Sequence, residues 1–275
     1  MSSRKASLTV ITSCLALSLV ASCGDDRSQS IAQNDSPTTV ISEVTTTAVL
    51  NCYDEIPTVY NDPREEYYRS KIDEFNESSV RPGSVILLGD SLLARLPAEF
   101  FDEQQNVVNF GIEGDETSGV LNRFDQVIAM APSQVFILIG TNDIARNRDV
   151  AAIKNNIDLI LERANLLDTS EFYFVSILPR GAELDPMVDE LNEYISIKTA
   201  QSSVNFIDSY DDFTIDGMQI NAELTSDGVH LNLAGSRELS NDIKSNIRLA
   251  NNERNYADDR KMSVKERISR MCAGV

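Results

Sequence analysis

Ser84-Val-Ile-Leu-Leu-Gly-Asp-Ser-Leu92 is the stretch on which the fold turns. Residues 85–88 are apolar without a break, with Pro82-Gly83 before them and Gly89-Asp90 after. A run that short and uniformly apolar marks a strand covered on both faces, as in a parallel sheet. Four similar runs follow, at Val107 to Asn109, Val135 to Ile139, Phe172 to Ile177 and Val204 to Ile207. The intervals between them are long enough for crossover helices. Ala152 to Leu166 places Ile153, Ile157, Ile160, Leu161 and Ala164 at helical spacing, and Met187 to Gln201 and Ala234 to Leu249 are two further helices. Another is expected from Pro63 to about Phe75, with Asp62 as N-cap and Pro63 in the first helical position. Strands alternating with helices predict an α/β fold, three layers α/β/α around a five-stranded parallel sheet.

In an open parallel sheet, ligands bind where loops leave the carboxyl ends of the strands. Four chemically loaded segments fall in such loops: Gly89-Asp90-Ser91-Leu92, Asn109-Phe-Gly111-Ile-Glu-Gly114-Asp115, Gly140-Thr141-Asn142-Asp143 and Asp227-Gly-Val-His230. His230 is the chain's sole histidine, which leaves one candidate imidazole base. Acyl transfer by a nucleophile needs a hydroxyl, an imidazole to deprotonate it and a carboxylate to orient the imidazole. Taken singly, Ser91 also suits a helix N-cap, Gly114 a positive φ and Asn142 a turn. Those readings give no reason for the residues to share one rim.

From Ser84 to Leu249 the chain resembles the SGNH (GDSL) hydrolase superfamily, whose four sequence blocks these segments match in order. The resemblance implies a flavodoxin-like topology and a serine esterase working through an acyl-serine intermediate. It makes Ser91 the nucleophile, His230 the base and then the acid, and Asp227 the group that orients His230. The oxyanion hole would join the amides of Ser91 and Gly114 to the side chain of Asn142. The stretch from Asn109 to Asp115, Gly140 to Asp143 and Ile177-Leu-Pro-Arg180 most resemble the platelet-activating-factor acetylhydrolase-like and carbohydrate acetylesterase-like branch. That implies a small-molecule or carbohydrate ester with a short acyl group, acetyl first. A lysophospholipase or thioesterase, an acyltransferase and a non-catalytic envelope binding module remain as alternatives. Asp90 would fix the geometry of the serine loop and Asp143 would cap the helix start that follows it. Arg95 and Arg180 are expected in solvated ion pairs. Glu113 departs from the pattern, which more often has a small or neutral residue there. One histidine and no grouped cysteines argue against zinc, and no phosphate loop or nucleotide fingerprint is present, so neither metal nor cofactor is expected.

The 275 residues, 42% hydrophobic, suffice for one catalytic domain, expected over 51–275 with a C-terminal helical extension around Ser263 to Met271. The net charge of −19 disfavours nucleic acid as a partner. At the start, Arg4 and Lys5 precede an uncharged stretch from Ala6 to Ala21, too short for a membrane span and suited to an export signal over 1–22. Its end, Val20-Ala21-Ser22-Cys23, resembles the bacterial lipobox. That resemblance implies lipidation of Cys23 and a membrane-anchored protein of the bacterial cell envelope, facing the periplasm or the exterior. Residues 23–50, rich in Ser, Thr, Gln and Asn, read as a flexible tether. Cys52 and Cys272 are left in an oxidising compartment, where they can pair.

Overall fold

The computed structural model describes residues 64–167, 169–181, 183–215 and 219–248. Five strands, β1 (Val85–Gly89), β2 (Val107–Gly111), β3 (Gln134–Leu138), β4 (Glu171–Val175) and β5 (Asn205–Ile207), form one parallel sheet in the order β2-β1-β3-β4-β5. That is the flavodoxin-like order. Every residue of β1 and β3 is buried, as an apolar run without alternation requires. The helices are α1 (Arg64–Glu77), α2 (Ser91–Ala94), α3 (Thr117–Asn122), α4 (Phe124–Ala129), α5 (Thr141–Ala145), α6 (Val150–Asn165), α7 (Asp185–Thr199) and α8 (Leu233–Asn246).

Alternate strand side chains feed two cores. Ile86, Leu88, Val135, Ile137, Phe172 and Phe174 meet residues of α1, α3, α4, α6 and α7 on one face. Val85, Leu87, Phe136, Leu138, Tyr173 and Val175 meet α2 and α8 on the other, giving the three layers. Truncating a fully buried ring such as Phe136 or Phe174 to alanine removes about 3–5 kcal/mol.

The five expected strands and four longer helices are all present, with ends shifted by a few residues; β2 runs on to Gly111 and α7 starts at Asp185. The short helices α2 to α5 and an antiparallel ribbon, β6 (Thr214–Ile215) with β7 (Gln219–Ile220), were not anticipated. They lack a period long enough to read. Among the described residues, no helix is long and apolar enough to cross a membrane. Cys23, Cys52, Cys272, the Asp62 cap, the helix near Ser263 and the signal and tether segments lie outside the described residues.

Candidate active site

The chain leaves β1 toward β2 on one side, while β3 lies on the other side of β1. Loops leaving β1 and β3 therefore diverge and open a crevice at their carboxyl ends, where such folds bind ligands. The β1 loop is pinned tightly there. A Cβ on Gly89 would stand 2.0 Å from the Leu138 carbonyl oxygen, so only glycine lets β1 end against β3 in this way. Asp90 caps α2, its Oδ1 accepting from the Leu92 amide at 2.9 Å, and Ser91 becomes the first helical residue. Ser91 is thus not the cap. Its amide belongs to the first turn, whose N–H groups have no intrahelical acceptor.

The β2 loop returns beside it, with the Ile112 amide donating to Gly89 O at 2.9 Å. Ile112 to Asp115 form a turn closed by Asp115 N to Ile112 O at 3.1 Å, and Gly114 takes φ +73° in its third position. That is the type II arrangement, which requires a positive φ there and turns the central amide outward. Among the described residues, neither the Ser91 nor the Gly114 amide donates to a protein acceptor. Asn142, in the first turn of α5, donates from Nδ2 to Asp115 O at 2.9 Å and keeps a second N–H. Arg146 holds the far side of the turn, Nη1 donating to Gly114 O at 2.9 Å and to Glu116 Oε1 at 2.7 Å.

Asp227 and His230 sit on a separate loop before α8. His230 Nδ1 lies 2.7 Å from Asp227 Oδ2, while Asp227 Oδ1 accepts from the amides of Val229 at 3.0 Å and His230 at 2.7 Å. The imidazole and these amides hold the Asp227 carboxyl far below the usual carboxylate range. The His230 carbonyl accepts from Ser226 N and Thr225 Oγ1, which closes the loop on itself. With Nδ1 engaged by the carboxylate, Nε2 is the free ring nitrogen. The Ser91 hydroxyl and the imidazole are not hydrogen-bonded to each other here.

Charged groups crowd this rim. Asp90 is fully buried and desolvation pushes its carboxyl up to about 7; its Oδ2 has no hydrogen-bond partner. Arg95 and Glu113 form a two-point ion pair at 3.1 and 3.0 Å, half-exposed, as expected for a solvated pair. Arg180 differs from expectation. Half-buried, with Nε unpartnered, it forms no ion pair among the described residues, and Asp185 holds only its backbone amide, at 2.8 Å. Burial lowers its pKa, which Asp90 and Asp227 oppose through space. Asp143 caps a helix other than the one that follows it. Its carboxylate accepts from Thr117 N at 2.9 Å and Thr117 Oγ1 at 2.6 Å, at the start of α3, and desolvation raises it to about 6.

Sequence reasoning passed over one pair altogether. Arg123, 1% exposed, lies against Asp115, 0% exposed, with Nη2 2.8 Å and Nε 3.0 Å from Asp115 Oδ2. The same guanidinium donates to Phe110 O at 2.6 Å and Gly89 O at 2.9 Å. Gly119 makes room for the pair, because a Cβ there would overlap Asp115 Oδ1. Among the described residues, no group of His, Cys, Asp and Glu is arranged to hold a metal ion.

The family model of the GDSL-like lipase/acylhydrolase family matches residues 87–238. The chain belongs to that family, and it is a carboxylic-ester hydrolase. Among solved structures it is similar to a candidate platelet activating factor from Streptococcus pneumonia, at 28% identity and TM-score 0.59, covering 66% of this chain and 92% of that one. It is also similar to a GDSL-like lipase from Bacteroides thetaiotaomicron, at 24% identity and TM-score 0.59, covering 66% and 96%. A mutant of an acetyl-xylooligosaccharide esterase from Geobacillus Stearmophilus shares the fold at 20% identity and TM-score 0.50, covering 62% and 96%. A search of curated proteins found no match.

Proposed function

We propose that the protein cleaves short-chain esters, acetyl esters first, through an acyl-Ser91 intermediate. The observation that carries this reading is the 2.7 Å contact of His230 Nδ1 with Asp227, which leaves Nε2 as the base. Ser91 Oγ attacks the ester carbonyl carbon while Nε2 takes its proton. The carbonyl electron pair moves to oxygen, which accepts from the amides of Ser91 and Gly114 and the second N–H of Asn142. The intermediate collapses, the ester C–O bond breaks, and the alcohol leaves with the proton from Nε2. Water, deprotonated by the same nitrogen, then releases the acid and restores Ser91. The serine–imidazole hydrogen bond closes in the substrate complex, as such bonds commonly do.

Fluorophosphonate labelling with mass mapping tests the nucleophile: the label is expected on Ser91 and absent from Ser91→Ala. Turnover of p-nitrophenyl esters of increasing length tests the acyl group, and a preference for long chains would replace this reading with a lysophospholipase or thioesterase. The short-acyl assignment rests on the loop sequences around Gly114, Asn142 and Arg180. We also propose that Cys23 carries lipid and anchors the domain to a membrane of the cell envelope, on the strength of Val20-Ala21-Ser22-Cys23. Several acyl chains, at about 0.8 kcal/mol per buried methylene, suffice for stable attachment. Metabolic labelling with an alkynyl fatty acid should mark wild type and not Cys23→Ala.

A further inference from the structure

We propose that Arg123 and Asp115 act as a positioning pair that holds the three oxyanion donors in register; the proposal rests on the ester-hydrolase reading above. Three groups from separate strand ends must aim at one oxygen, and this buried pair reaches the end of β1 before Ser91, the turn beside Gly114 and the side chain of Asn142. Arg123 Nη2 donates to Gly89 O, two residues before the Ser91 amide. Asp115 follows Gly114, and its carboxylate takes two contacts from Arg123. The Asp115 carbonyl accepts from Asn142 Nδ2, fixing the third donor. Arg123 Nη1 on Phe110 O ties the end of β2 into the same clamp.

The chemistry of the pair suits this work. A guanidinium is planar, carries five N–H groups and stays charged when buried, so one side chain can hold two carbonyls and a carboxylate at fixed angles. A lysine in its place offers a point charge and cannot meet all of them at once. Gly119 completes the device, because the Asp115 carboxylate occupies the space a side chain would need. The arginine is shut away from the surface. It acts through the loops.

The test compares wild type with Arg123→Lys, Gly119→Ala and, as a control, Ile195→Ala. Helix propensity alone favours the Gly119 change, so harm from it reports on the displaced carboxylate. Ile195 is fully buried in the last turns of α7, which crosses back between parallel strands and ends at the opposite edge of the sheet. In Arg123→Lys and Gly119→Ala, kcat on an acetyl ester is expected to fall about 10²-fold, the scale of losing one oxyanion donor, with KM nearly unchanged. Ile195→Ala should melt earlier yet keep its kcat. Amide hydrogen exchange supplies a readout independent of turnover: peptides spanning Gly89 to Leu92 and Ile112 to Glu116 should lose protection together in the two variants, and peptides from β3 should not. Folded variants with wild-type kcat, or loops that exchange as in wild type, would overturn the proposal. A wild type without esterase activity would instead refute the catalytic reading, and the exchange measurement would still decide whether the pair clamps the loops.

Discussion

Gly114 stands between two arginine–carboxylate pairs. On one side Glu113 meets Arg95 at the surface, with side chains 48% and 45% exposed; on the other Asp115 meets Arg123 in the interior, at 0% and 1%. The partner types are the same and both pairs make two-point contacts. Their surroundings differ, and so does what each can do. At the surface, water already solvates both ions and the pair gains little by meeting. Inside, each ion without its partner is stranded in a low-dielectric medium, so the pair dictates where the loops must lie. The turn that carries Gly114 is thus fixed from within and decorated from without.

Equating burial with function would misread this contrast, and the largest expected effect shows why. Asp227 is half-exposed, yet Asp227→Asn should lower kcat about 10⁴-fold, because the amide no longer selects the productive imidazole tautomer. Steady-state kinetics alongside an unchanged melting curve would confirm a chemical rather than a structural loss. The inner pair should respond in stability: Arg123→Met takes the guanidinium away from a buried carboxylate, at a cost of about 3–5 kcal/mol in urea unfolding. A loss as small as that of a surface pair would erase the distinction between the two arginines.

Asn142 lies between these extremes, tied to the inner side by Asp115 O and free on the other. Asn142→Ala should reduce kcat about 10²-fold to 10³-fold, read from kcat and KM on the same ester.

The candidate residues Asn142, Ser91, Gly114 and the Asp227–His230 pair stand out in the sequence because each lies just beyond an apolar run or beside the sole histidine. The strands β1, β3 and β4 were legible for a related reason: burial on both faces leaves a uniform apolar signature. Arg123 was hidden. It separates the short helices α3 and α4, where no period is long enough to reveal a face, and an arginine in a polar segment ordinarily points to solvent. Its burial is created by the meeting of β1, β2 and Asp115, none of them its neighbours in the chain. Arg180, expected in a solvated ion pair, and Asp143, expected to cap the helix after it, depart from those expectations for the same reason. Their surroundings come from β1, from α3 and from the Asp227 loop, contacts that no spacing encodes.

Asp90 extends the comparison to a buried carboxyl that has no ion pair among the described residues. Its folded-state pKa rises from 3.8 to about 7, so between those values the folded chain holds a proton that the unfolded chain has released. The contribution of Asp90 to stability is then complete below about pH 3.8 and is lost as pH climbs through about 7. The slope is at most about 1.4 kcal/mol per pH unit. Asp143, raised to about 6, acts in the same direction over a narrower window. Asn in place of Asp90 keeps an acceptor for the Leu92 amide and has no proton to lose. Urea unfolding across this range should therefore show Asp90→Asn gaining on wild type as pH rises; parallel profiles would mean that Asp90 titrates like an exposed acid.

The smallest effect belongs to the outer pair. Glu113→Gln leaves Arg95 in contact with water, so the expected loss is about 0.2–1 kcal/mol. At this chain length that is a fall in Tm of at most about 4 °C. Because the pair is screened by counter-ions, the difference should shrink further in high salt, whereas that caused by Arg123→Met should persist. Melting both variants at low and high ionic strength places the two arginines side by side. If the Glu113 variant lost as much stability as the Arg123 variant, and kept that loss in salt, solvent exposure would not be what separates the inner pair from the outer one.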